Sequence, residues 1–85
     1  MPQSVIFSVE ARTDLRTLDR ETALRLLKAL ARFLATDAGN VKQLEGFDPP
    51  RYRLRIGDWR FVFRKSGDGA IEIIRVRNRL GETKF

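Results

Sequence analysis

The 85-residue chain contains no cysteine and no histidine. Without cysteine there is no disulfide and no thiolate ligand, which excludes the small secreted scaffolds that depend on covalent staples. Without histidine the commonest metal ligand and the commonest general base are missing. Zinc sites, histidine-dependent triads and a paired-histidine ribonuclease mechanism are thereby excluded. Long apolar runs are missing as well. The longest apolar stretch lies within 23–35 and is interrupted by Arg25, Lys28 and Arg32, too short and too charged to span a membrane. The opening Met1-Pro-Gln-Ser-Val-Ile-Phe7 lacks the basic start and long apolar run of a signal peptide, so the expected location is the cytoplasm.

What is present fits one small domain spanning residues 1–85, and a hydrophobic content of 42% is enough for one core. The charge is unevenly placed. Residues 1–50 hold seven Lys/Arg and seven Asp/Glu, whereas residues 51–85 hold ten against four and carry the whole net charge of +6. Such asymmetry points to a polyanion as partner, with a merely solvated basic surface as the alternative. Eight of those ten cations are arginine, whose guanidinium fork matches phosphate oxygens in pairs.

The basic half opens on RYRLRIGDWRFVFR, residues 51–64. Arginine alternates with a large apolar residue from Arg51 to Ile56, the period of a strand with one buried face. Gly57-Asp58 interrupts and Trp59–Arg64 resumes, which predicts a tight hairpin with a primed turn. If Ile56 and Trp59 flank the turn, the cross-strand partners are Arg55/Arg60, Leu54/Phe61, Arg53/Val62, Tyr52/Phe63 and Arg51/Arg64. One face then carries Ile56, Trp59, Leu54, Phe61, Tyr52 and Phe63. The other carries Arg51, Arg53, Arg55, Arg60 and Arg64 around Val62. Like charges directly opposite each other destabilise a sheet, so this face serves solubility or awaits an anion.

Upstream, residues 3–8 read as a first strand, with Val5 and Phe7 on one face and Ile6 on the other. Ser8 is placed to cap a short helix over 9–17 with the stripe Ala11, Leu15, Leu18. Asp19 is placed to cap a longer helix to about Ala35, with Ala23, Leu26, Leu27, Leu30, Phe33 and Leu34 as its apolar face. The pair forms an αα-hairpin that covers the apolar face of the sheet. Gly39 falls in the C-cap region. Residues 40–50 read as a connection anchored by Val41 and Leu44 and stopped by Pro49-Pro50. After a glycine-rich turn at 65–69, Ala70–Val76 forms the last strand. Antiparallel pairing across that turn sets Arg60 opposite Arg75 and Phe61 opposite Ile74, so that Arg55, Arg60 and Arg75 form a row. Trp59, Phe61, Ile74 and Val76 then face the helices, while Ile73 sits awkwardly on the basic face beside Val62. Residues 77–85 read as a polar basic tail without a regular element.

The order strand, αα-hairpin, antiparallel strands, together with "LEGFDPPRYRLRIGDWRFVF", "IIRVRNR" and the upstream "FSVEARTDLRTLD", resembles the RelE/ParE superfamily of bacterial type II toxin–antitoxin toxins over nearly the whole chain. The resemblance implies an α+β fold of order β-α-α-β-β-β, with the αα-hairpin packed on one face of a small antiparallel sheet. It implies a cognate antitoxin as partner, no cofactor and no metal. In the RelE branch the implied activity is metal-independent cleavage of mRNA on the ribosome, which inhibits translation. The attacking group is the RNA's own 2′-hydroxyl. In the ParE branch the same fold inhibits DNA gyrase without cutting RNA. Carried onto this chain, the implied catalytic positions are Arg55, Arg60, Arg79, Lys84 and Phe85, where Lys84 or Phe85 stands at the place of a C-terminal tyrosine. Arg51, Arg53, Arg64, Arg75 and Arg77 are the expected RNA-binding residues.

Overall fold

The computed structural model describes residues 4–78. Strand β1 (Val5–Phe7) turns Val5 and Phe7 inward and leaves Ile6 exposed, as its parity predicts. Ser8 ends it and starts α1 (Val9–Arg16): its hydroxyl oxygen accepts from the Ala11 N–H and the hydroxyl itself donates to the Ile74 carbonyl. Three residues beyond the end of α1, Asp19 caps α2 (Arg20–Thr36) by accepting from the Thr22 N–H. Thr22 stands where a capping box has Glu or Gln, and its hydroxyl bonds Asp19 instead. The helix ends at Asp37, which adopts the left-handed conformation (φ 60°) and returns its N–H to the Phe33 carbonyl.

Gly39 is not the cap. It packs so tightly that a methyl group there would lie 2.8 Å from Leu54 Cδ1 and 3.3 Å from Phe33 Cδ1. This close approach lets the chain turn directly into β2 (Asn40–Leu44), which replaces the first half of the expected connection. Nothing in Asn40-Val-Lys-Gln-Leu alternates cleanly. Pairing with β3 (Arg51–Ile56) makes it a strand, not its own periodicity.

The hairpin of β3 and β4 (Trp59–Lys65) has the expected register: Ile56 faces Trp59, Arg55 faces Arg60, Leu54 faces Phe61, Arg53 faces Val62 and Tyr52 faces Phe63. Gly57 alone in its turn has a positive φ, 60°, the pattern of a II′ turn. β5 (Ile71–Asn78) closes the sheet, in the order β1-β5-β4-β3-β2, and runs two residues into the segment expected to lack structure. β1 pairs with it in parallel; the other pairings are antiparallel.

The expected β4–β5 register does not hold. Arg60 faces Arg77 and Phe61 faces Val76, with a bulge where Val62 and Phe63 face Arg75 and Ile73. The extra residue lets Ile71, Ile73 and Val76 all point inward, each at most 2% exposed. Ile73 is thus in the core and not on the basic face, and Ile74 is the residue displaced from it. The core joins these side chains to Leu54, Phe61 and Phe63 from the sheet and to Ala11, Leu26, Leu30 and Phe33 from the helices. The Phe33 and Phe63 rings meet at 5.9 Å, tilted by 54°. Two helices on one face of a five-stranded, mostly antiparallel sheet make an α+β fold.

Candidate nucleic-acid interface

Strand parity alone puts the basic residues on the face opposite the helices. Each apolar residue drawn into the core sends its neighbour the other way. The register then sets these neighbours in rows. One row runs Asn40, Arg55, Arg60, Arg77 across β2, β3, β4 and β5. The next runs Lys42, Arg53, Val62, Arg75. The three-arginine row expected from sequence exists, but its third member is Arg77 and not Arg75, because the bulge shifts β5 along β4.

The cations divide by what they touch. Arg55 is exposed and makes one long hydrogen bond, Nε to the Gly57 carbonyl at 3.4 Å. Arg53 is half-buried, and its Nε is shielded from solvent with no hydrogen-bond partner. Arg51 lies over the Phe47 ring at 4.7 Å. Arg64 donates from Nε to Glu72 Oε1 at 2.6 Å, which neutralises both. Arg75 leaves the row for Asp14 of α1: its Nε and Nη2 donate to the two carboxylate oxygens at 2.9 and 3.0 Å. Arg79, Lys84 and Phe85 lie outside the described residues.

Asp14 is the buried charged side chain among the described residues, 6% exposed. Besides Arg75 it accepts from the Val76 N–H at 2.9 Å, on the side of β5 away from β4. Burial pushes its carboxyl up. The Arg75 hydrogen bond, the Val76 N–H and the charges of Arg75 and Arg77 outweigh that and hold it below the ordinary value of 3.8. The same pairing raises the Arg75 guanidinium above its ordinary value. Asp14 was not singled out from sequence, yet the signal was there. Residues 11, 14, 15 and 18 have the i, i+3, i+4, i+7 spacing of a buried stripe, and one of them is a carboxylate.

Proton donors and acceptors are sparse on this face. Tyr52 is turned to the core, its ring stacked on Phe63 at 5.5 Å, as its parity predicts. Glu72 is engaged by Arg64. Among the described residues no three acidic side chains gather into a metal-binding cluster. The face therefore offers fixed positive charge and hydrogen-bond donors, suited to holding phosphate and to stabilising negative charge that develops on its oxygens.

Comparisons with known proteins agree with this architecture. The profile of the ParE toxin of the type II toxin–antitoxin system parDE matches residues 5–81. No curated protein matches by sequence. Among solved structures, the chain is similar to one from the RelE–RelB complex of Pyrococcus horikoshii OT3. The two are 24% identical with a TM-score of 0.73, over 93% of this chain and 97% of that one. A chain of the E. coli RelBE toxin–antitoxin complex is 19% identical with a TM-score of 0.68, over 98% and 99%. One from the E. coli DinJ–YafQ complex is 12% identical with a TM-score of 0.71, over 99% and 100%. The structural likenesses carry the fold, and the profile, matched along nearly the whole chain, carries the family: this protein belongs to the RelE/ParE superfamily as a toxin of a type II toxin–antitoxin system.

Proposed function

We propose that this toxin is a RelE-like, ribosome-dependent mRNA endonuclease that inhibits translation and is neutralised by a cognate antitoxin. The observation that carries the reading is the row Arg55, Arg60, Arg77, set directly across three strands on the face opposite the helices. The reaction joins the RNA 2′-oxygen to the adjacent phosphorus and breaks the bond from phosphorus to the 5′-oxygen. The 2′-hydroxyl loses its proton and the departing 5′-oxygen gains one. The products are a 2′,3′-cyclic phosphate and a 5′-hydroxyl. Negative charge on the non-bridging oxygens rises toward the transition state, and guanidinium donors already in place stabilise it without reorganising. Arginine stays protonated at any working pH and is no general base. The described residues therefore supply charge and alignment, while the ribosome imposes the geometry that brings the 2′-oxygen in line. Lys84 or Phe85 stands at the place of the family's terminal tyrosine, and of the two only Lys84 can transfer a proton.

The chain's match to a ParE profile favours a second reading, inhibition of DNA gyrase by binding alone. Translation in vitro with purified toxin separates the two. The nuclease reading expects cuts in ribosome-bound mRNA, mapped by primer extension, and unimpaired gyrase supercoiling. Uncut mRNA with blocked supercoiling refutes it. Arg60→Ala is expected to slow cleavage about 100-fold, the cost of removing one preorganised donor to a transition-state oxygen, and to abolish growth arrest while the fold survives. Full toxicity of Arg60→Ala removes the arginine row from the mechanism.

A further inference from the structure

We infer that Lys42 and Arg53 form a second phosphate subsite, which carries the RNA strand from the arginine row toward the β2 edge. The inference rests on the nuclease reading and adds to it a contact residue, Lys42, and a direction for the strand. Lys42 enters the basic face only because Asn40–Leu44 is a strand. The register sets it directly opposite Arg53, so both side chains rise from the same face. Two cations facing each other repel unless something shared lies between them. Lys42, Arg53 and Arg55 have no carboxylate partner among the described residues, in contrast to Arg64 and Arg75. Arg53 also keeps its Nε out of solvent without a hydrogen-bond acceptor, an arrangement that an arriving phosphate oxygen would relieve.

The other half of the row leaves space for this. Val62 is short, and Arg75 is drawn away to Asp14. The Lys42–Arg53 pair lies two residues along the strands from the Asn40–Arg55–Arg60–Arg77 row, about 7 Å at the rise of a β-strand. Beyond it Arg51 lies over the Phe47 ring and Arg64 is paired with Glu72, which leaves two tiers, the arginine row and the Lys42–Arg53 pair. The tiers fit successive phosphates of a single strand that crosses the sheet obliquely and leaves over β2.

Single-turnover cleavage of mRNA in ribosome complexes, with antitoxin-free toxin in excess, tests the subsite. Lys42→Ala is expected to raise the half-saturating toxin concentration about fivefold, with the maximal rate unchanged within about twofold. It should also lower the slope of log affinity against log salt by about 0.7, the share of one single-strand phosphate contact. Lys42→Arg should restore both, and Lys28→Ala, exposed on α2 in the opposite layer, should alter neither. If Lys42→Ala keeps wild-type half-saturation and slope while Arg55→Ala loses affinity, the subsite is overturned and the nuclease reading stands. Wild-type toxin that leaves the mRNA intact overturns both. Unchanged cleavage combined with weakened neutralisation by antitoxin assigns the pair to a protein interface and overturns the subsite.

Discussion

Asp14 ties α1 to β5. Three donors converge on one carboxylate, two from Arg75 and one from the Val76 backbone. Removing it leaves a partly buried guanidinium and a backbone N–H without acceptors. Asp14→Ala is expected to destabilise the fold by about 2–4 kcal/mol, read from the urea midpoint. Because the folded carboxyl is held below 3.8, its contribution is complete above that value and is lost as the pH falls through the lower folded value. Wild-type stability should therefore decline below about pH 4, and Asp14→Asn should decline less steeply over the same window. The remaining slope belongs in part to Asp19, lowered by the Thr22 hydroxyl and N–H, and to Asp68, lowered by the Ser66 hydroxyl and the Ala70 N–H. Asp19 is an exposed helix cap and Asp68 an exposed turn residue, and both contribute less.

At the scale of elements, two irregular features place the basic face. The bulge in β5 admits Ile71, Ile73 and Val76 to the core together and delivers Arg77 to the row of Arg55 and Arg60. The contact at Gly39 lets the chain leave α2 and enter β2 beside Leu54. A side chain at Gly39 meets Leu54, itself 2% exposed and walled in by the core. Gly39→Ala is expected to cost about 1–3 kcal/mol by overpacking, measured by denaturant unfolding. If β2 is displaced as a result, Lys42 moves with it, so the variant's salt dependence of RNA cleavage should resemble that of Lys42→Ala. Gly57→Ala places a Cβ at φ 60° in the hairpin turn and is expected to cost about 1–2 kcal/mol while leaving the register intact.

For the whole molecule, size sets the margin. A folded chain of this length is stable by about 4–13 kcal/mol, while truncating one fully buried phenylalanine costs about 3–5 kcal/mol. Phe61 is 0% exposed at the centre of the sheet, so Phe61→Ala is expected to unfold much of the population at 37 °C, seen as loss of the cooperative thermal transition. The net charge of +6 originates wholly in residues 51–85, and the register sets Arg53, Arg55, Arg60 and Arg77 on the sheet face opposite the helices. Association with polyanions should accordingly weaken steeply with salt.

Most of the fold was legible because the local signals agree with one another. Ser8 and Asp19 precede apolar stripes and are the caps. The alternation of 51–64 fixes its own parity, and two intervening residues leave one tight-turn register. Family membership followed from the same stretch and from IIRVRNR. Where a segment offered no single period, the tertiary structure decided. Ile71, Ile73, Ile74 and Val76 place apolar side chains on both parities of β5. Only packing against Phe61 and Phe63 selects Ile73 over Ile74, and the bulge that follows exchanges Arg75 for Arg77 in the row. Asn40–Leu44 has no strand signature and is made a strand by the edge that β3 presents, which brings Lys42 beside Arg53. Parity, a local property, determined that one face of the sheet is basic. Register and edge pairing are long-range properties, and they determined which cations stand opposite one another on that face and which are paired with Asp14 and Glu72.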